Sequence, residues 1–454
     1  MSRPATDGQI EGYTTAASGE PGTRLGIKVS TSARRFRVLA YRIGAYRGGA
    51  GRLVWASDDV RGEQQPGPKF APRGTRTVVA AWRRSLTVDT TGWPAGFYVL
   101  RLRTGSGWDT QVPYIVSSES ARDTVAMVTP VTTWQAYNVW GGYSLYAGPS
   151  GDRRAWAVSF DRPYYGVGGM NDFRTAVVPT VVRAEASGEP LSYFANLDLH
   201  SRPGALAGSR GYVSMGHDEY WTPAMREHVM QARDAGTNLA FLGANTMYWR
   251  VRLDDRRTGP MRLMTGYRDD AYADPVRESR PREATSRFRD APAAMPENDL
   301  VGMLYECYPV DAPYRVMTPG WWGFEGTGVR RGSEIEGLVG GESDRVYPDA
   351  RTPRPLQVLS HVSFSCRGDL TSSQSVYYTT ESGAGVFTAG TLRWGCALVD
   401  QCDRPLGRRT RDFARQVTDN LLHEFARGPV GRRHPARDNV ADFDLPLVNG
   451  VTAS

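Results

Sequence analysis

The chain has 454 residues, more than a single hydrophobic core ordinarily serves, so two domains are expected. Hydrophobic residues at 40% and charged residues at 23% are those of a soluble globular protein, and no apolar run approaches the ~20 residues of a membrane span. The formal charge of +7 comes almost wholly from arginines spread among acidic residues, so a solvated surface is expected rather than a nucleic-acid stripe or a membrane-binding face. The opening Met-Ser-Arg-Pro-Ala-Thr-Asp leads into no apolar stretch; no signal peptide is read, and a cytoplasmic location is expected. Cys307, Cys366, Cys396 and Cys402 form no C-x-x-C pair, and the six histidines form no H-E-x-x-H, which speaks against zinc knuckles, thioredoxin-like sites and histidine-rich zinc sites. Cys396 and Cys402 are close enough to bridge, although a cytoplasmic protein would keep them reduced.

Residues 1–118 read as β-structure. Leu25–Ser30, Phe36–Ile43, Arg76–Ala81, Phe97–Arg103 and Gln111–Val116 are short β-rich runs between turn clusters, the spacing of an immunoglobulin-like sandwich. From residue 119 the pattern changes. Thr124–Val128, Leu191–Leu199 and Tyr212–Met215 are buried strands, and the last leads into a helix. Thr222 is its cap, Pro223 suits its first turn, Met225, Val229 and Ala232 share a face, and Gly236 ends it. Asn238–Gly243 is again an apolar strand, which makes a βαβ unit and an α/β domain with a mainly parallel sheet over residues 119–430. Residues 255–295, rich in Arg, Asp and Pro, read as a surface excursion able to serve as a lid. Strand character returns at Leu300–Tyr305, Ile335–Gly340 and Gly385–Ala389, a last amphipathic helix covers Arg411–Phe425, and residues 431–454 form an extended tail.

Ligands of an open α/β sheet bind beyond the carboxyl ends of its strands. Three polar clusters fall there: Trp134-Gln135-Ala136-Tyr137-Asn138, His217-Asp218-Glu219, and Asn245. In extended backbone His217 and Glu219 project to one side, while Asp218 faces away, toward the helix that starts at Pro223. A charged helix-entry loop in water would show the same spacing. The glycine loops Gly166-Val167-Gly168-Gly169 and Gly383-Ala384-Gly385 lack a full phosphate or dinucleotide fingerprint.

Gly216–Trp221, Asn238–Asn245 and Thr133–Asn138 resemble the large (beta) subunit of N,N-dimethylformamidase. Ile10-Glu11-Gly12-Tyr13, Tyr41-Arg42-Ile43-Gly44 and Ala95-Gly96-Phe97-Tyr98 resemble the β-domain that precedes its catalytic domain. The resemblance implies a glutamine-amidotransferase-like α/β domain in which mononuclear ferric iron, Fe(3+), replaces the cysteine nucleophile. It implies two tyrosines and a glutamate as metal ligands, matched here by Tyr98, Tyr137 and Glu219, with Tyr143, Tyr164 and Tyr165 as competitors for the second phenol. His217, Asn245 and Glu342 match catalytic positions around them. Phenolate and carboxylate are hard donors suited to ferric iron, and two phenolates with one carboxylate balance its charge. The expected activity is hydrolysis of the C–N bond of a small formamide or related amide. A ferric-phenolate oxygenase and a non-catalytic binding protein are the alternatives. The partners to expect are a small amide substrate and, as open alternatives, a homo-oligomer and a small accessory subunit. The family's additional N-terminal lectin-like domain has no counterpart in this sequence, so dimethylformamide itself is not assumed as substrate.

Overall fold

The computed structural model describes residues 3–6, 8–71, 74–149, 153–165, 170 and 172–446. The glycine loop at 166–169 and the end of the tail lie outside them. Up to Val116, alternating apolar side chains build two facing antiparallel sheets. One contains Arg35–Tyr46, Gly49–Ala56, Gly96–Thr104 and Trp108–Val116; the other holds Ile10–Thr14, Arg24–Thr31 and Leu86–Asp89. Between them Leu25, Ile27, Val29, Val38, Tyr98, Leu100 and Leu102 form a core of their own. The run at Arg76–Ala81 takes another place. Thr77–Val79 pairs with Lys69–Ala71 in a separate ribbon, and Val78, Ala80 and Trp82 pack with Trp140.

The strand Gly96–Thr104 is buried on both faces, and this ties the sandwich to the rest of the molecule. Successive side chains of a strand point to opposite sides. Tyr98, Leu100 and Leu102 therefore fill the sandwich, whereas Phe97 and Val99 belong to the large second core. There Phe97 meets Trp134 and Phe173, with ring centroids 6.3 and 5.4 Å away.

That second core surrounds a seven-stranded sheet. Its strands are β1 (Val125–Thr129), β2 (Leu191–Ala195), β3 (Gly211–Met215), β4 (Asn238–Leu242), β5 (Leu356–Cys366), β6 (Asp369–Thr379) and β7 (Gly385–Thr388), in the spatial order β2-β1-β3-β4-β7-β6-β5. The first five in that order run parallel, and β6 and β5 complete the edge as an antiparallel hairpin. Strands β1, β3, β4 and β7 are buried at every residue, as strands covered on both faces must be. Helices α1 (Val131–Tyr137), α2 (Val178–Ser187), α3 (Asn196–Ser201), α4 (Pro223–Asp234) and α5 (Gly407–Ala426) flank the sheet. Thr222 Oγ1 accepts the Met225 N–H at 3.2 Å to cap α4, and Gly236, at φ +102°, follows its end. The run Leu191–Leu199 is not one strand: β2 stops at Ala195 and α3 begins at Asn196.

Residues 255–295 are tied to the rest of the molecule by arginines turned inward. Arg250 is buried and donates to the carbonyls of Pro281, Arg282, Phe288 and Ala293. Arg252 holds Asp274 at 2.7 Å and Arg289 holds Glu297 at 3.1 Å. The arginines are thus not all solvated surface. The cysteines are paired, Cys307 with Cys366 and Cys396 with Cys402, so the reduced state expected from a cytoplasmic reading is not the one this fold holds. Among the described residues no helix is long and apolar enough to cross a membrane.

Candidate active site

The site begins where β3 ends. Gly216 has φ +69°, and a Cβ there would lie 1.9 Å from Asp172 Oδ2, so glycine answers both to the turn and to the neighbour. The half-buried Asp172 accepts the His217 N–H at 2.6 Å and the Trp134 indole N–H at 3.2 Å, which locks the turn against α1. Burial pushes the Asp172 carboxyl up, with the His217 contacts opposing it. Asp218 does face away from its neighbours, but toward Ser214 and Asn196 rather than the start of α4. The Ser214 hydroxyl donates to it at 2.9 Å and the Asn196 amide at 3.4 Å. Burial raises its carboxyl to about 7.

Glu219 is 3% exposed and is the point on which the other groups converge. Its backbone N–H donates to Thr133 Oγ1 of α1 at 3.0 Å. Its carboxylate accepts the Tyr137 hydroxyl at 2.8 Å, the Tyr146 hydroxyl at 2.7 Å and the Asn245 amide at 3.4 Å. The Tyr137 and Tyr146 rings stack with centroids 4.1 Å apart, and the Tyr220 hydroxyl donates to that of Tyr146 at 2.7 Å. Burial, then the neighbouring Glu219, pushes both phenols well above their ordinary range. The Glu219 carboxyl is likewise raised by burial, with His217 opposing.

His217 Nε2 lies 3.5 Å from Glu219 and 3.3 Å from Glu342, the latter carried by the strand Glu334–Arg345. Burial works against charge on this imidazole, but Glu342, Glu219 and Asp172 outweigh it and raise it to about 10. Asn245 follows β4 in a left-handed conformation, φ +57°. Its N–H donates to Asp344 at 2.8 Å, and its buried Oδ1 has no partner among the described residues.

Tyr137, Glu219, His217, Asn245 and Glu342 are therefore brought together; Tyr98 is not. Its ring stacks on Trp93 inside the sandwich and its hydroxyl donates to Pro94 O at 2.7 Å. The physical reason is strand parity, since Phe97 and Val99 face the site's side of the strand and Tyr98 faces the other. Nor do the competitors reach Glu219. Tyr143 stacks on Phe70, Tyr164 packs edge-on to Trp134, and Tyr165 is 56% exposed. The second phenol beside Glu219 is Tyr146, which a reading of motifs passes over. A local signal was present in Gly141-Gly142: both take positive φ, the chain doubles back, and the Leu145 N–H reaches Ala136 O at 3.0 Å. Asp172 was also missed, for it stands far along the chain from the turn it holds.

Among the described residues, no group of three or more His, Cys, Asp and Glu side chains is placed to hold a metal. A metal would have to use the phenols. The donor set fits one: two phenol O–H groups donate to a single buried carboxylate, and a hard cation exchanged for those protons would meet three anionic oxygens already in place.

Sequence comparison bears on the same residues. The family described as "N,N-dimethylformamidase beta subunit-like, C-terminal" matches residues 37–404. The chain belongs to this family. The match spans every side chain that meets at Glu219, from Tyr137 to Glu342. Comparison with curated proteins finds no match. Among solved structures, the chain aligns at 9% identity with a Paenibacillus sp. cycloisomaltooligosaccharide glucanotransferase complexed with cycloisomaltoheptaose. The alignment covers 53% of this chain and 28% of that one with a TM-score of 0.17, too low to bear on fold or function.

Proposed function

We propose that this chain is an amidohydrolase cleaving the C–N bond of a small formamide-type amide, with a mononuclear ferric ion held by Tyr137, Tyr146 and Glu219. The observation that carries the proposal is the convergence of two phenol hydroxyls on one buried carboxylate, at 2.8 and 2.7 Å. When bound, a ferric ion supplies Lewis acidity that polarises an amide oxygen and acidifies water.

The chain's own groups account for the protons. Attack of water on the amide carbon releases a proton, and breaking the C–N bond requires one on the departing nitrogen. Glu342 takes up the first. His217, held protonated between two carboxylates, gives the second and recovers it from Glu342 across their 3.3 Å contact. The Asn245 amide N–H braces Glu219, and its unpartnered Oδ1 is left to orient water or an amide N–H.

The test combines metal analysis, a visible spectrum and product analysis on a panel of formamides. A single iron per chain, a ferric-phenolate absorption band, and amine and acid released in equal amounts without oxygen uptake are expected. A colourless, zinc-loaded and fully active protein would overturn the iron assignment. Iron-bearing protein that consumes oxygen and frees no amine would overturn the hydrolase.

A further inference from the structure

The hydrolytic scheme makes no use of a cation that stands directly behind one of its phenols. Arg268 has φ +59°, a left-handed conformation uncommon for a residue with a side chain and held only where the surroundings over-determine it. Here they do. The Arg268 N–H donates to Thr285 O at 2.8 Å and the Tyr267 N–H to Thr285 Oγ1 at 2.9 Å. Thr285 is itself held by Asp274, to which its N–H and hydroxyl donate at 2.9 and 2.8 Å.

The side chain so directed runs inward. Its guanidinium carbon lies 3.9 Å from the centroid of the Tyr146 ring and 4.6 Å from that of Trp249, and Nη1 donates to Leu145 O at 2.7 Å. Tyr137 stacks on Tyr146 as well, so the Tyr146 ring is held between a phenol and a guanidinium. The Trp249 backbone N–H donates to the Glu219 backbone carbonyl at 2.9 Å, which places both residues touched by Arg268 in contact with Glu219.

Packing alone does not call for arginine here. The buried Nε has no partner among the described residues, and an orphaned polar group of this kind is a cost that a neutral side chain filling the same space would avoid. Burial works against the charge, but the oxygens of Tyr220, Tyr146 and Glu219 outweigh it and keep the guanidinium protonated. A permanent cation over an aromatic face is attracted to it and fixes the ring's position.

We infer that Arg268 is a positioning residue for the proposed reaction: clamped against Tyr146 and Trp249, its guanidinium holds the Tyr146 hydroxyl on Glu219 and sets a fixed positive charge over the face of the phenol ring. This rests on the tyrosinate–carboxylate reading of the site, so the experiment separates the two. Arg268→Met and Arg268→Lys are made with and without Tyr146→Phe, and folding is checked by near-ultraviolet circular dichroism. Iron content, the ferric-phenolate absorption maximum, kcat and KM are compared. Nitration of Tyr146 by tetranitromethane is mapped by mass spectrometry in the protein as purified.

Arg268→Met is expected to displace the absorption maximum and lower kcat about tenfold while KM stays within about twofold. Lys, which keeps the charge without the plane, restores part of both. In the Tyr146→Phe background Arg268→Met has no further effect, and with Tyr146 present it raises nitration of that residue severalfold. An unmoved absorption band in folded, iron-bearing Arg268→Met overturns the proposal, as does a loss of kcat equally large in the Tyr146→Phe background. Should Arg268→Met not fold, Arg268→Lys carries the test, and wild-type absorption and nitration would overturn it. A colourless wild type sinks the iron reading instead; Arg268 as the brace of Tyr146 is then decided by nitration alone, unchanged labelling being the contrary result.

Discussion

A carboxylate that is 3% exposed keeps its charge only through the donors around it, and for Glu219 those are two phenols, an amide and an imidazole. Tyr146→Phe removes one donor, and on the proposed scheme it weakens and shifts the ferric-phenolate band, which Tyr137 alone then supplies, and lowers kcat by at least ~100-fold, read by spectrum and steady-state kinetics. Tyr98→Phe is the contrasting variant. It loses one hydrogen bond to Pro94 O, so the expected outcome is full activity with a stability loss of about 1 kcal/mol in denaturant titration. His217 sets the pH behaviour. Its imidazole is raised from 6.5 to about 10, so the stability it contributes is complete below pH 6.5 and is lost as pH rises through about 10. Proton donation to the leaving amine fails over the same upper range. A kcat profile with an alkaline limb, absent in His217→Gln, is the expected result, and an alkaline limb that His217→Gln retains would refute the assignment.

Both phenols ride on one element, the strap from Gln135 to Tyr146, and its shape is set from behind by Arg162. This guanidinium is 1% exposed, and among the described residues it bonds no carboxylate. It donates instead to the Gln135 side chain and to the carbonyls of Gln135, Asn138, Trp140 and Tyr143. Arg162→Met would leave those carbonyls buried and unpaired, at a cost of about 3 kcal/mol or more, and would release the spacing between Tyr137 and Tyr146. Thermal melting together with loss of metal binding checks it. The strand-to-helix turn is equally intolerant. Gly216→Ala combines a clash with Asp172 and a left-handed backbone, and a loss of about 2 kcal/mol or more with loss of activity is expected.

Across the whole molecule, one strand serves two cores and two disulfides close loops of very different length. Cys307–Cys366 joins the ribbon that carries Glu342 to the edge strand β5 across 59 residues, whereas Cys396–Cys402 spans 6. Restriction of the unfolded chain makes the longer loop worth about 4 kcal/mol and the shorter about 2 kcal/mol. Thiol titration of the native protein should find no free thiol. Reduction, or Cys307→Ser with Cys366→Ser, should lower the melting temperature more than the Cys396–Cys402 double serine variant does. Free thiols throughout would refute the pairing.

Much of this was legible in the residues themselves. The unit β3–α4–β4 could be read because each of its signals is local: Thr222 before Pro223, a 3.6-residue repeat through Met225, Val229 and Ala232, then Gly236. The grouping of His217 and Glu219 on one side likewise needs only the two-residue period of extended backbone. Other features depended on which surface a chain segment meets, and that is a property of the packed molecule. Tyr98 and Phe97 are adjacent in sequence, yet one fills the sandwich and the other the core beneath the site. Tyr146 joins Tyr137 because two glycines reverse the chain and Arg162 and Arg268 hold it reversed. The strand–helix order and the polar rim at the carboxyl ends of β3 and β4 follow from local pattern alone. Tertiary structure decided which phenol stands beside Glu219 and which arginines leave the surface, because burial on two faces and contacts between distant segments have no signature in local periodicity.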